Sequence, residues 1–212
     1  MNAQRYTIAI IPPHEIAERA MMLSRSLKSF DSCFVLDGET AHPHLTLYHA
    51  NFTPVALARV IAVLETTVQG IAPFELRQLT YYPDQGIWVG VRFVADKCIL
   101  DLHTSVIAVT RAYRTIEDNV AYKEQQVEIP SVEFKNIEYC GWAHSFTLYS
   151  PHLTLTRLQH PHAGILKHLT QPELSFRVDH IGVYETGNYG ACTRRVADFW
   201  FTSGSSMGSP GN

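Results

Sequence analysis

Pro43-His44-Leu45-Thr46-Leu47 occurs a second time in this chain, as Pro151-His152-Leu153-Thr154-Leu155. With ordinary residue usage, an identical five-residue match within 212 residues is a chance event on the order of one in a hundred. On a strand, residues two apart share a face. His44 and Thr46 therefore project together, with Leu45 and Leu47 on the opposite side, and His152 and Thr154 repeat the pattern. The proline before each histidine cannot donate to a ladder, which places it at a strand start or edge. Each copy reads as a polar His/Thr pair on an exposed strand face, backed by apolar residues. We read the two copies as halves of one active site.

The residue types fit phosphoester chemistry. Two imidazoles on opposite sides of a phosphate allow one to take a proton from attacking water and the other to give one to the leaving oxygen. The two threonine hydroxyls can donate to the non-bridging oxygens, where charge develops. A single His-x-Thr on a strand is ordinarily a surface histidine beside a β-branched filler. Duplication weakens that reading, although a repeat can be purely architectural. A zinc site is the other alternative, because His42 with His44 and His160 with His162 each form His-x-His. No suitably spaced Asp, Glu or Cys completes either set, and Ser150 stands where His42 would have its counterpart, so no metal is expected.

Around the repeats, residues 5–11 read as a buried strand closed by Pro12-Pro13, and residues 15–28 as a helix with Ile16, Ala20, Leu23 and Leu27 inward. Residues 34–36 suit a short strand. Thr53-Pro54 is a helix start, and Gly70 the stop after Leu57, Val60, Ile61, Leu64 and Val68. Residues 74–82 and 86–94 flank Pro83-Asp84-Gln85-Gly86 as a hairpin. Residues 97–113 have helical spacing. Residues 115–138 are polar, lack clean periodicity and read as an insertion or long loop. Residues 161–169 suit a short helix, and residues 174–184 and 191–201 suit strands. The small, polar residues 203–212 read as a disordered tail. Hairpins among helices favour an α+β fold with antiparallel sheets, in one domain over residues 1–202.

Composition narrows the function classes. The chain is 46% hydrophobic and 17% charged, with a net charge of −3 when histidines are neutral. An extended duplex footprint would need a basic excess, whereas a small nucleotide or an RNA end would not. Cys33, Cys98, Cys140 and Cys192 are scattered without a CxxC pair and read as reduced thiols of a cytoplasmic protein. No signal peptide or membrane span is expected. The 11 histidines make charge sensitive to pH between about 5 and 8.

The paired His-Leu-Thr-Leu motifs resemble those of the 2H phosphoesterases, in particular the bacterial 2′-5′ RNA ligase/RNA 2′,3′-cyclic phosphodiesterase group. The opening Tyr6-Thr7-Ile8-Ala9-Ile10-Ile11-Pro12-Pro13 is similar to that group's first strand. Gly86-Ile87-Trp88-Val89-Gly90-Val91 is similar to its middle hairpin, the aromatic-rich residues 142–154 to the lead into its second motif, and Val183-Tyr184-Glu185-Thr186 to its last hairpin. The resemblance implies two pseudo-symmetric lobes, each an antiparallel sheet with outer helices, around a cleft. It assigns catalysis to His44, Thr46, His152 and Thr154, with His152 as base and His44 as acid, and it gives Arg157 a contact with substrate. Tyr48 is a candidate to stack on a base, a core or rim tyrosine being the alternative. The implied activity needs no cofactor. It is hydrolysis of a 2′,3′-cyclic phosphate, at an RNA end or on a small cyclic nucleotide, to a 2′-phosphate. The alternatives are a phosphodiesterase of 2′-5′-linked or cyclic oligonucleotides, the reverse ligation, and a non-catalytic RNA-end or nucleotide-binding module.

Overall fold

The apolar run that opens the chain becomes β1 (Gln4–Ile10), with Ile8, Ala9 and Ile10 fully buried. The computed structural model describes residues 2–115 and 131–202; the expected tail at 203–212 and most of the expected long connection lie outside them. The first motif strand is β2 (Leu45–Phe52) and the second is β6 (His152–Arg157). With β4 (Gln78–Asp84), β5 (Trp88–Phe93), β8 (His180–Thr186) and β9 (Cys192–Trp200) they form one seven-stranded sheet, ordered β4-β5-β6-β2-β1-β8-β9. Its strand pairs are antiparallel. Strands β3 (Phe74–Leu76) and β7 (Phe176–Val178) pair separately.

The α+β class and the antiparallel pairing hold as expected. In place of two free-standing sheets, however, the strands join at the centre, where β2 and β6 meet at the pair Leu45 and Leu153. Three strands lie to one side of that contact and four to the other. The two motifs are thus immediate neighbours.

Four helices among the described residues pack around this frame: α1 (His14–Ser26), α2 (Pro54–Thr67), α3 (Lys97–Thr110) and α4 (Ser131–Cys140). Thr53 caps α2 by accepting from the Ala56 N–H, with Pro54 in the first helical position where its missing N–H is harmless. Asp96 caps α3 by accepting from Cys98 and Ile99. Of the stretch 115–138 expected as an insertion or long loop, residues 131–138 are helical, in α4. Its buried face is Asn136, Ile137 and Cys140, and Asn136 anchors it by donating to the Ala143 and Ser145 carbonyls at 2.8 and 2.9 Å. Residues 34–36 form no strand, and residues 161–169 hold only a short 3₁₀ turn at Ile165–His168.

Both motif strands carry a β-bulge at the same place. Ile8 pairs with Tyr48 but Ala9 with Thr46, leaving Leu47 as the extra residue on β2. Val89 pairs with Thr156 but Gly90 with Thr154, leaving Leu155 extra on β6. A bulge takes its extra residue out of the ladder. Here each loosened carbonyl receives a buried side-chain hydrogen bond from the helix packed beneath. His103 of α3 donates through Nδ1 to Leu47 O at 2.8 Å, and Ser24 of α1 donates to Leu155 O at 2.7 Å. Each of these side chains also accepts a loop N–H, His103 Nε2 from Phe146 at 2.9 Å and Ser24 Oγ from Leu36 at 2.8 Å. Both residues are fully buried. Opposite the second bulge stands Gly90, where a Cβ would lie 2.5 Å from the Leu153 carbonyl oxygen.

Because Nε2 accepts, His103 is the neutral Nδ1–H tautomer, and burial holds its pKa down at about 4. His103→Leu strands the Leu47 carbonyl and the Phe146 N–H. It is expected to destabilise the protein by about 2–5 kcal/mol in urea unfolding, and a loss below about 0.5 kcal/mol would count against the bulge bond. The same group sets a pH direction. Its folded pKa lies below its unfolded value near 6.5, so the unfolded chain binds more protons between them. Stability is therefore expected to fall as pH drops from about 6.5 towards about 4. Thermal melts across that window check this, and the slope should shrink in His103→Gln.

Candidate active site

His44, Thr46, His152 and Thr154 line one cavity of about 510 Å³. The leucines between them, Leu45, Leu47, Leu153 and Leu155, are fully buried on the other side of the sheet. Each imidazole is fixed by the residue two before it: His44 Nδ1 lies 2.8 Å from the His42 carbonyl oxygen and His152 Nδ1 lies 2.8 Å from that of Ser150. A carbonyl only accepts, so both neutral rings carry their proton on Nδ1 and keep the Nε2 lone pair for the cavity. Burial lowers both pKa values, that of His44 to about 4, and each ring is opposed by a nearby cation or imidazole, His152 beside His44 and Arg92 beside His152. Thr154 bonds to the phenol of Tyr82, whose pKa burial raises to about 12.

Tyr48 corrects an expectation. It is fully buried and donates to the Cys140 carbonyl, one of the unpaired carbonyls at the end of α4. It is not available to stack on a base. The bulge at Leu47 is the reason, since it makes Leu47 and Tyr48 consecutive buried residues and returns His49 to the polar face. The second strand does the same. Leu155 and Thr156 are both buried, Thr156 donates to the Phe34 carbonyl at 2.7 Å, and Arg157 comes back to the partly exposed side.

The fifth residue after each motif histidine therefore occupies a corresponding position. His49 lines the cavity. Its Nδ1 lies 2.8 Å from the Thr7 hydroxyl, which lies 2.7 Å from that of Thr186, and Trp142 packs edge-on at 5.4 Å. Burial, reinforced by Arg5, holds the pKa of His49 well below the ordinary value. Arg157 is not itself among the lining residues. Its guanidinium lies 5.7 Å from the ring centre of Trp88 and 5.3 Å from that of Tyr189, and it donates to Cys33 Sγ at 3.4 Å. Trp88 and Tyr189 do line the cavity, as do Arg5 and Arg92. Sequence reasoning gave no site role to Trp88, Tyr189 or the two arginines, and it noted His49 only as part of the asymmetry of Tyr48-His49 against Thr156-Arg157. The equal spacing of His49 and Arg157 from their histidines is the signal that could have placed His49 at the site.

His42 turns its ring against Tyr184 at 5.1 Å, and His162 packs on Phe30 and His168. Among the described residues no group of three or more His, Cys, Asp or Glu is placed to hold a metal ion. The four cysteines are free, Cys140 and Cys192 buried.

Comparison with known proteins agrees with this geometry. Among solved structures, E. coli LigT complexed with 3′-AMP superposes with a TM-score of 0.54 at 16% identity, covering 95% of this chain and 99% of that one. A crystal structure described as a phosphoesterase gives 0.55 at 16% identity, with the same coverage. E. coli LigT complexed with ATP gives 0.52 at 15%, again covering 95% and 99%. At these identities the likeness concerns the fold. No curated protein sequence matches. The family model described as the 2′-5′ RNA ligase superfamily matches residues 12–190. With most of its length matched and both His/Thr motifs on one cavity, this chain belongs to the 2′-5′ RNA ligase superfamily, the 2H phosphoesterases.

Proposed function

We propose that the protein is a phosphodiesterase that opens a 2′,3′-cyclic phosphate, at an RNA end or on a small nucleotide, to a 2′-phosphate. The observation that carries this reading is the pair of imidazoles at the starts of neighbouring central strands, both with Nδ1 anchored on a carbonyl and both lining one cavity. The ring phosphate sits between the two Nε2 atoms. One histidine accepts the proton of the attacking water as the oxygen–phosphorus bond forms. The other, protonated, delivers its proton to the 3′-oxygen as the bond between phosphorus and that oxygen breaks. Thr46 and Thr154 donate to the non-bridging oxygens. The protein's own groups balance the proton transfer in this scheme, which calls on no cofactor.

A nucleotide suits the site. E. coli LigT, of the same fold, has been solved with 3′-AMP, ATP and NADP+, and Arg5 and Arg92 in this cavity supply positive charge in a chain of net charge −3. A cavity of about 510 Å³ holds a small ligand rather than a duplex. The free thiols fit the cytoplasm. The same site could take a 2′-5′-linked oligonucleotide, and product analysis on 2′-5′ oligoadenylate distinguishes the two substrates.

His44→Ala and His152→Ala are each expected to lower turnover of 2′,3′-cyclic nucleotides by roughly 10²–10⁴-fold, with the melting temperature kept within a few degrees. Near-wild-type turnover in either folded variant would end the proposal. A non-catalytic binding module would instead show nucleotide affinity without turnover. The pH profile has a stated sign. The free protein must hold one proton across the pair, and both pKa values are lowered below 6.5. The profile of kcat/KM is then a bell whose alkaline limb falls below pH 6.5. A plateau reaching pH 8 would contradict it. EDTA is expected to leave the rate unchanged.

A further inference from the structure

We infer that Tyr82 is a positioning residue for the reaction: its phenol hydroxyl holds the Thr154 hydroxyl so that the Thr154 proton points at the bound phosphate. The inference rests on the two-histidine chemistry proposed above. It gives a task to a cavity residue that neither motif contains.

The placement follows from strand register. Tyr82 on β4 pairs with Gly90 on β5, and Gly90 pairs with Thr154 on β6. Directly paired residues of neighbouring strands share a face. The three therefore stand in one row across the sheet, on the side where Tyr82 and Thr154 both line the cavity. Glycine in the middle lets the tyrosine side chain cross the row. A Cβ at position 90 would lie 3.0 Å from the Tyr82 hydroxyl oxygen and 3.1 Å from a ring carbon, so a side chain there would push the phenol away. Past Gly90 the phenol meets Thr154 and is hydrogen-bonded to it. Two further contacts fix the ring. The Arg92 guanidinium lies over it, 4.6 Å from its centre, and His152 meets it at 6.1 Å with the planes 87° apart. Arg92 is itself the cross-strand partner of His152.

Two hydroxyls share this hydrogen bond, and either can donate in the free protein. A bound phosphate decides between them. Its anionic oxygen is a stronger acceptor than a phenol, so the Thr154 proton turns to it. The Thr154 oxygen then has an open lone pair. The phenol, whose pKa burial raises to about 12, keeps its proton and donates into that lone pair. Hydrogen bonds in such a chain polarise one another, so Thr154 donates more strongly as charge develops on the phosphate. The other half of the site is built differently. There the Tyr149 hydroxyl donates to the main-chain carbonyl of Thr46, at 3.0 Å, and not to its side chain. Thr154 is thus the pre-set donor of the two threonines.

A double-mutant cycle read by steady-state turnover of 2′,3′-cyclic AMP tests this. Tyr82→Phe removes the hydroxyl and keeps the ring with its contacts to Gly90, Arg92 and His152, so it folds. Thr154→Val removes the hydroxyl that the phenol serves. Tyr82→Phe is expected to lower kcat about tenfold while KM stays within about twofold. In the Thr154→Val background the same change is expected to cost less than about twofold. Wild-type kcat in Tyr82→Phe overturns the inference, whatever KM does. So does an equal loss of kcat in both backgrounds, which means that the phenol acts independently of Thr154. Either result leaves the two-histidine chemistry standing, since that is judged by His44→Ala and His152→Ala. A wild type that turns over no 2′,3′-cyclic nucleotide overturns both.

Discussion

Two main-chain carbonyls, Leu47 O and Leu155 O, hold the arrangement together. Each belongs to the extra residue of a bulge, and each is bonded from beneath by a fully buried polar side chain, His103 of α3 or Ser24 of α1. A buried carbonyl left without a donor costs about 1–3 kcal/mol, so the bulges persist only where a helix supplies the donor. Those donors in turn fix the phase of each strand. Ahead of the bulge, the histidine and threonine face the cavity. Beyond it, two consecutive residues are buried, and the fifth residue from each histidine comes back to the partly exposed side. The helices thus set which side chains the cleft presents, although none of their residues enters it.

This phase shift explains what was legible in the sequence and what was not. His44, Thr46, His152 and Thr154 were visible because period-two alternation holds through the repeated motif itself. The Thr53-Pro54 cap and the apolar face of α2 were visible because their signals are local. For Tyr48 the sequence left base stacking and core packing both open, because period-two counting continues straight through a bulge and no side chain marks where a strand gains a residue. His103 had a sequence signal of a kind. It falls on the same helical face as Ile99, Leu102, Val106 and Ile107, all buried, and a histidine on such a face needs partners for both ring nitrogens. Helix α4 was hard to see because its buried face is short and part polar, Asn136 beside Ile137 and Cys140, tied down by Asn136 and the Tyr48 phenol.

Electrostatics separates the working groups from the supporting ones. Burial pushes His44, His49, His103 and His152 towards the neutral form, yet their partners differ. His103 has both nitrogens bonded to backbone and no remaining capacity. His44 and His152 have one nitrogen bonded to a carbonyl and the other free for a ligand. An anion between them favours their charged forms, which is the direction that acid–base work on a phosphate requires. The two positions beyond the bulges are unlike in charge, a neutral imidazole at His49 and a permanent cation at Arg157.

The most direct measurement is nitrogen-15 NMR of the His44 and His152 rings, titrated with pH in the absence and presence of inorganic phosphate. The expected result is an Nδ1–H tautomer for both neutral rings, pKa values below 6.5 in the free protein, and an upward shift of both when phosphate binds. An Nε2–H tautomer, or a ring whose titration ignores phosphate, would contradict the assignment of these two histidines as a matched acid and base.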